Sequence, residues 1–118
     1  MLYELLYTSF ASRDMSEADL MELLETARRK NARLDITGML LFDQQEFMQI
    51  LEGSRSDVLA LYEEIRNDDR HQSVCTVHEG PIAERAFDGW SMAFRLLSKK
   101  KIGSGRLSRS TRTVRTCR

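Results

Sequence analysis

Hydrophobic residues follow two different rhythms along this chain. Residues 2–9 alternate with a period of two, placing Tyr3, Leu5 and Tyr7 on one face of a predicted strand. A helix start follows at Met15-Ser16-Glu17-Ala18-Asp19-Leu20, where Ser16 is the N-cap, Asp19 reaches back in a capping-box position, and Met15 sets a hydrophobic staple against Leu20. The period then becomes helical, with Leu20, Leu23, Leu24 and Ala27 as the buried stripe of a helix running to about residue 30. Two apolar strands, 36–42 and 47–52, flank Asp43-Gln44-Gln45-Glu46 and predict a hairpin. A second helix opens at Ser54-Arg55-Ser56-Asp57, buries Val58, Leu61, Tyr62 and Ile65, and is broken by Asn67-Asp68-Asp69. Strands over 74–78 and 90–94, separated by Gly80-Pro81, complete the pattern.

The order β-α-β-β-α-β-β predicts an α+β fold, ferredoxin-like, with a mixed five-stranded sheet. Right-handed crossovers carry both helices to one face of it. In this topology the first and third strands can be neighbours at the centre. The fold alone says little about function, because it hosts enzymes, regulators and binding modules alike.

One position breaks the apolar pattern. In Phe47-Met48-Gln49-Ile50-Leu51 the alternation sets the Gln49 amide on the face of Phe47 and Leu51. An amide in an apolar setting needs a partner, since leaving it unpaired costs about 1–3 kcal/mol; solvent on that face is the alternative. Tyr7 is within reach if the first and third strands pair. Asn31 stands at the end of the first helix beside Arg28, Arg29 and Lys30, either as a routine helix terminus or as an amide among cations. Asp69-Arg70-His71 is a turn or a polar clamp, and Trp90-Ser91-Met92 puts an indole and a thioether on one face of the last strand.

Composition narrows the class. With 118 residues, 42% hydrophobic and 31% charged, the chain has the size and make-up of one globular domain. It lacks a signal-peptide pattern and any apolar run near the roughly 18 residues of a membrane span, so a cytoplasmic protein without membrane association is expected. Cys75 and Cys117 have no zinc-site spacing and suggest no disulfide framework, and Cys75 reads as a buried strand thiol. The net charge of zero conceals a division: residues 98–118 hold eight basic residues and no acid, and residues 1–97 hold ten basic and eighteen acidic. The basic segment predicts a disordered tail, and without interleaved aromatic residues it argues against a nucleic-acid partner. His71 and His78 have no nucleophile or carboxylate at catalytic spacing, which argues against an enzyme.

Taken in order, Tyr7, Asn31 ahead of Leu34-Asp35-Ile36-Thr37-Gly38-Met39-Leu40, the Phe47 to Gly53 segment around Gln49, Asp69-Arg70-His71 and Phe87-Asp88-Gly89-Trp90-Ser91-Met92 resemble the BLUF family of blue-light receptors. The resemblance covers residues 1–97, taken as the light-sensing domain, with 98–118 as the tail. It implies noncovalent binding of a flavin, usually FAD, with FMN or riboflavin also possible, between the two helices. Asn31 and Arg70 would then lie at the pyrimidine edge, Arg29 and Lys30 toward the ribityl-phosphate end, and Ile36, Phe47 and Ile65, with Leu5, in the apolar walls. Tyr7 is implied as electron and proton donor through Gln49, whose amide rearranges, and Trp90 and Met92 as relays along the last strand.

The short members of the family carry two further helices on the sheet face away from the flavin, and the arginine-rich end shows no stripe for them. Leu6, Met39, Leu41, Met48 and Ile50 on that face therefore suggest a homo-oligomer, and a downstream signalling protein is the expected partner. The alternative is a ferredoxin-like metabolite-binding regulator or small enzyme without flavin, with Tyr7 and Gln49 as core residues.

Overall fold

In a computed structural model, which describes residues 1–97, seven elements follow one another: β1 (Leu2–Ala11), α1 (Glu17–Leu34), β2 (Thr37–Asp43), β3 (Glu46–Ser54), α2 (Arg55–Arg66), β4 (His71–Pro81) and β5 (Ala93–Leu96). The sheet order is β4-β1-β3-β2-β5. β1 pairs antiparallel with both β3 and β4, β2 pairs antiparallel with β3, and β5 pairs parallel with β2. This is the ferredoxin-like mixed sheet that the element order predicts. Tyr7, Leu40 and Gln49 of the central strands line one cleft with residues of both helices, so the helices share that sheet face.

Local chemistry explains most of the boundaries. The α1 capping box is complete: the Asp19 N–H donates to Ser16 Oγ at 3.1 Å, and the Ser16 N–H donates to Asp19 Oδ2 at 3.0 Å. The helix extends a turn past the expected end and stops at Asp35, which takes the left-handed conformation at φ 56°. Asn31 explains the extension. It lies seven residues beyond Leu24, on the same stripe, and is buried with Leu20, Leu23 and Leu24. Gln44 and Gln45, both at positive φ, close the β2–β3 hairpin as a two-residue turn of the kind that matches strand twist. In α2, Ser54 Oγ accepts from the Asp57 N–H at 3.3 Å, and Val58, Leu61 and Tyr62 are buried as expected.

Two expectations are corrected. β4 runs from His71 through Gly80-Pro81, where a break was expected; it is an edge strand, and an edge tolerates a residue that cannot donate. β5 begins at Ala93, so Trp90, Ser91 and Met92 precede it in irregular chain. Cys75 is buried on β4; Cys117 and the predicted tail lie outside the described residues. Among the described residues no helix is long and apolar enough to cross a membrane.

Candidate functional site in the cleft between the helices

The β1–β3 register sets Tyr7 directly opposite Gln49, with both side chains facing the helices. Cross-strand neighbours on one face are close enough to bond, and the Tyr7 hydroxyl donates to Gln49 Oε1. Both residues are buried. The other end of the same amide donates from Nε2 to Met92 Sδ at 3.3 Å. Gln49 thus stands between a phenol and a thioether, its two ends committed in opposite senses.

An open cleft of about 120 Å³ lies above this pair, between the sheet and the two helices. Leu23, Ala27, Lys30 and Asn31 of α1 form one wall, and Leu61, Glu64 and Ile65 of α2 the other. Lys30 Nζ bridges the helices to Glu64 Oε1 at 2.6 Å. Asn31 donates from Nδ2 to the Ser91 carbonyl at 2.9 Å, which leaves its Oδ1 and a second Nδ2 proton for the cleft. Arg70 and His71 close one end. Arg70 is held by Asp68, its Nη2 lying 2.6 Å from Oδ2, and this pairing keeps the Asp68 carboxyl below the usual carboxylate range and raises the guanidinium.

Burial dominates the remaining electrostatics. It pushes the Tyr7 hydroxyl well above the ordinary phenol value, with the nearby Tyr62 and Asp68 adding to the rise, so Tyr7 stays protonated and able to donate. It lowers His71, against the pull of Asp68, and so favours the neutral imidazole. His71 Nδ1 lies 2.8 Å from Ser9 Oγ, and its ring packs 4.8 Å from that of Phe47.

The structure brings together Tyr7, Asn31, Gln49, Arg70, Lys30 and Ile65 on the cleft and sets Met92 against Gln49. Ile36 and Phe47 do not line it; both are core residues behind the wall, Phe47 supporting His71. Arg29 is exposed and faces Glu25 at 3.8 Å. Trp90 is 58% exposed while Met92 is 1% exposed, so the two do not share the environment that a common strand face implies. The reason is the irregular chain before β5, where alternation does not apply. Sequence reasoning missed Arg28, whose Nε donates to the Met92 carbonyl at 2.9 Å. A signal was present, because Arg28 lies on the helical face of Leu24 and Asn31.

Fold and cleft together define the class: a ferredoxin-like α+β domain with a ligand cleft between its helices and a hydrogen-bonded phenol and amide at its floor. Residues 2–93 match the model of the BLUF family, described as sensors of blue-light using FAD. Over 92 residues the chain is 47% identical to the photoactivated adenylate cyclase subunit beta of Euglena longa, covering 77% of this chain and 11% of that protein. It is 36% identical over 74 residues to the blue light- and temperature-regulated antirepressor BluF of Escherichia coli, covering 63% of this chain and 18% of that one. Among solved structures, a bacterial light-regulated adenylyl cyclase superposes with a TM-score of 0.84 at 31% identity, over 97% of this chain and 36% of that one. The BLUF protein BlrB in its dark state gives 0.80 at 33% identity, over 92% and 82%. The chain spans about a tenth of the length of the cyclase relatives. It belongs to the BLUF family of flavin-binding blue-light sensors.

Proposed function

We propose that this chain senses blue light through a flavin held in the interhelical cleft, with Tyr7 and Gln49 as the photoactive pair and Met92 as the first receiver of the signal. The observation that carries this reading is the position of Gln49, whose amide accepts from Tyr7 and donates to Met92. The cleft fits the cofactor. Asn31 offers an adjacent donor and acceptor to the imide edge of an isoalloxazine, Arg70 a cation beside it, and Leu23, Ala27, Leu61 and Ile65 the apolar walls of a flat ring. Lys30, at the mouth, suits a phosphate-bearing tail. Arg29, exposed and facing Glu25, is the weaker candidate for that end.

When bound, the flavin supplies the absorption of blue light and a transient electron acceptor. Tyr7, held protonated by burial, passes its hydroxyl proton to Gln49 Oε1 along the existing hydrogen bond as its ring gives up an electron. On return of electron and proton, the Gln49 amide is left rotated or tautomerised. In the rotated form its donor and acceptor ends are exchanged, and the contact from Nε2 to Met92 Sδ is lost. The signal is stored in hydrogen-bond geometry, a two-state element that light biases without net turnover.

The domain is a sensor, and its output passes to an effector, fused or separate. The half-buried Leu6, Met39, Leu41 and Ile50 with the exposed Met48 are the candidate surface for a second copy. Absorption spectra of the purified protein in the dark, under blue light and after dark recovery test the reading. A flavin spectrum that shifts slightly to the red and returns is expected. A colourless protein that takes up no added flavin would refute it, and a Gln49→Leu variant that keeps both flavin and red shift would refute the role of Gln49.

A further inference from the structure

Residues 82–92 join β4 to β5 and carry Met92 to Gln49, yet the tie at the start of their final approach comes from a side chain outside the cleft. Glu52 on β3 is 0% exposed. Its Oε2 accepts from the Ala86 N–H at 2.7 Å, and its Oε1 accepts from the Phe87 N–H at 3.1 Å and from Thr37 Oγ1 at 2.9 Å. Arg85 closes the arrangement by donating from Nη1 to Thr37 Oγ1 at 2.9 Å and to the Glu52 carbonyl at 3.3 Å. A buried carboxylate tolerates this position because both oxygens are satisfied by donors.

The turn that follows starts from these two N–H groups. The Trp90 N–H donates to the Phe87 carbonyl at 3.0 Å, and then three successive carbonyls are taken by three elements: Trp90 by the Gly38 N–H at 3.1 Å, Ser91 by Asn31, and Met92 by Arg28. The choice of which side chain meets Gln49 is therefore a question of register in a segment without strand pairing. A two-residue slip would put Trp90 where Met92 stands, and the fixed point of the register is the bonding of Glu52 to residues 86 and 87.

We propose that Glu52 is the positioning residue that sets Met92, with Trp90 outside, against Gln49. Glu52 touches neither the cleft nor Met92; it acts through the turn. The test needs no flavin, so its failure is distinct from failure of the photoreceptor reading. Glu52→Gln keeps the volume but turns one acceptor into an NH₂ group facing an N–H donor. The readout is the set of 13C-labelled methyl resonances of the six methionines, with the Met92 signal assigned by its loss in Met92→Leu.

Selective displacement or broadening of the Met92 methyl in Glu52→Gln, with the signals of the core-distant methionines in place, is the expected result. An unmoved Met92 signal in the folded variant overturns the proposal, as does a uniform shift of all six, which would mark a purely structural role. Ala86→Pro deletes one of the loop's two donors to Glu52, the shorter bond, while leaving Glu52 and the sheet intact, and the same selective change is expected there. Should Glu52→Gln fail to fold, Ala86→Pro decides alone.

Discussion

The bond from Tyr7 to Gln49 predicts a specific non-additivity in stability. Tyr7→Phe removes one hydroxyl and keeps the ring, so no cavity opens; its cost is the acceptor left on Gln49, which is 6% exposed. An orphaned buried acceptor costs about 1–3 kcal/mol, and the open cleft, which admits water to Gln49, sets the expected value near the lower end. Gln49→Leu conserves volume but strands the Tyr7 hydroxyl, which is 1% exposed and has only that bond, so about 2 kcal/mol is expected before the added apolar burial offsets part of it. In the double variant neither orphan exists. Its loss should fall short of the sum of the singles by on the order of 1–2 kcal/mol. Urea unfolding of the four proteins without flavin, in one buffer, measures this cycle directly. Additivity to within about 0.5 kcal/mol would show that the two groups do not depend on each other, and the pair would lose its place at the centre of the mechanism.

Three further outcomes are expected. His71 is lowered by burial in the folded state relative to its ordinary value of 6.5, so above that value both states are neutral and stability is full; as pH falls below it the unfolded chain binds a proton that the folded chain resists, and stability declines. His71→Gln should remove that part of the pH dependence, seen as a change in the wild-type-minus-variant difference in urea midpoint, and an unchanged difference would count against it. Gly38→Ala would drive a Cβ into the Ile50 carbonyl oxygen and to 3.3 Å from the Met92 methyl; a loss of about 2 kcal/mol or more is expected in urea unfolding, because a strand backbone cannot give way as a side chain does. Ser16→Ala removes the acceptor of the α1 capping box and should cost about 1 kcal/mol, read as a lowered melting temperature, with no change in methyl resonances around Met92.

What the sequence made legible was whatever periodicity controls. A strand alternates, so Gln49 had to share a face with Phe47 and Leu51, and a hairpin at Asp43-Gln44-Gln45-Glu46 followed by a helical crossover left β1 as the neighbour of β3. The pairing of Tyr7 with Gln49 follows from those two facts and the register. Helical period likewise identified the stripe from Leu20 to Leu24, and extended by seven residues it reaches Asn31. What stayed hidden was set by contacts distant in sequence. Nothing local tells that Glu52, an acid in an apolar strand, faces two amides 34 and 35 residues further on. Nor does alternation order Trp90 and Met92, because their segment is held by bonds to α1 and β2 and not by pairing of its own. Among the adjacent cations, Arg28 reaches the segment that precedes β5, Lys30 the cleft, and Arg29 faces Glu25.

These placements bear on how a change in one amide can leave the cleft. β5 has four residues, pairs with a single neighbour and lies at the edge of the sheet, so it belongs among the parts that open at the lowest free energy. The chain leading to it is fixed by single hydrogen bonds, each worth about 0.5–1.5 kcal/mol net. Reversal of the Gln49 amide sets an acceptor against Met92 Sδ where a donor stood, a change of the same order. At the centre of the sheet such a change would be absorbed, because β1 and β3 pair along nine successive positions, from Leu2 opposite Ser54 to Phe10 opposite Glu46. At Met92 it meets bonds of its own size. On the proposed mechanism the cleft reports through Met92, a neighbour of Gln49 that the sheet does not hold, and the proposed role of the Glu52 carboxylate is to set which side chain occupies that place.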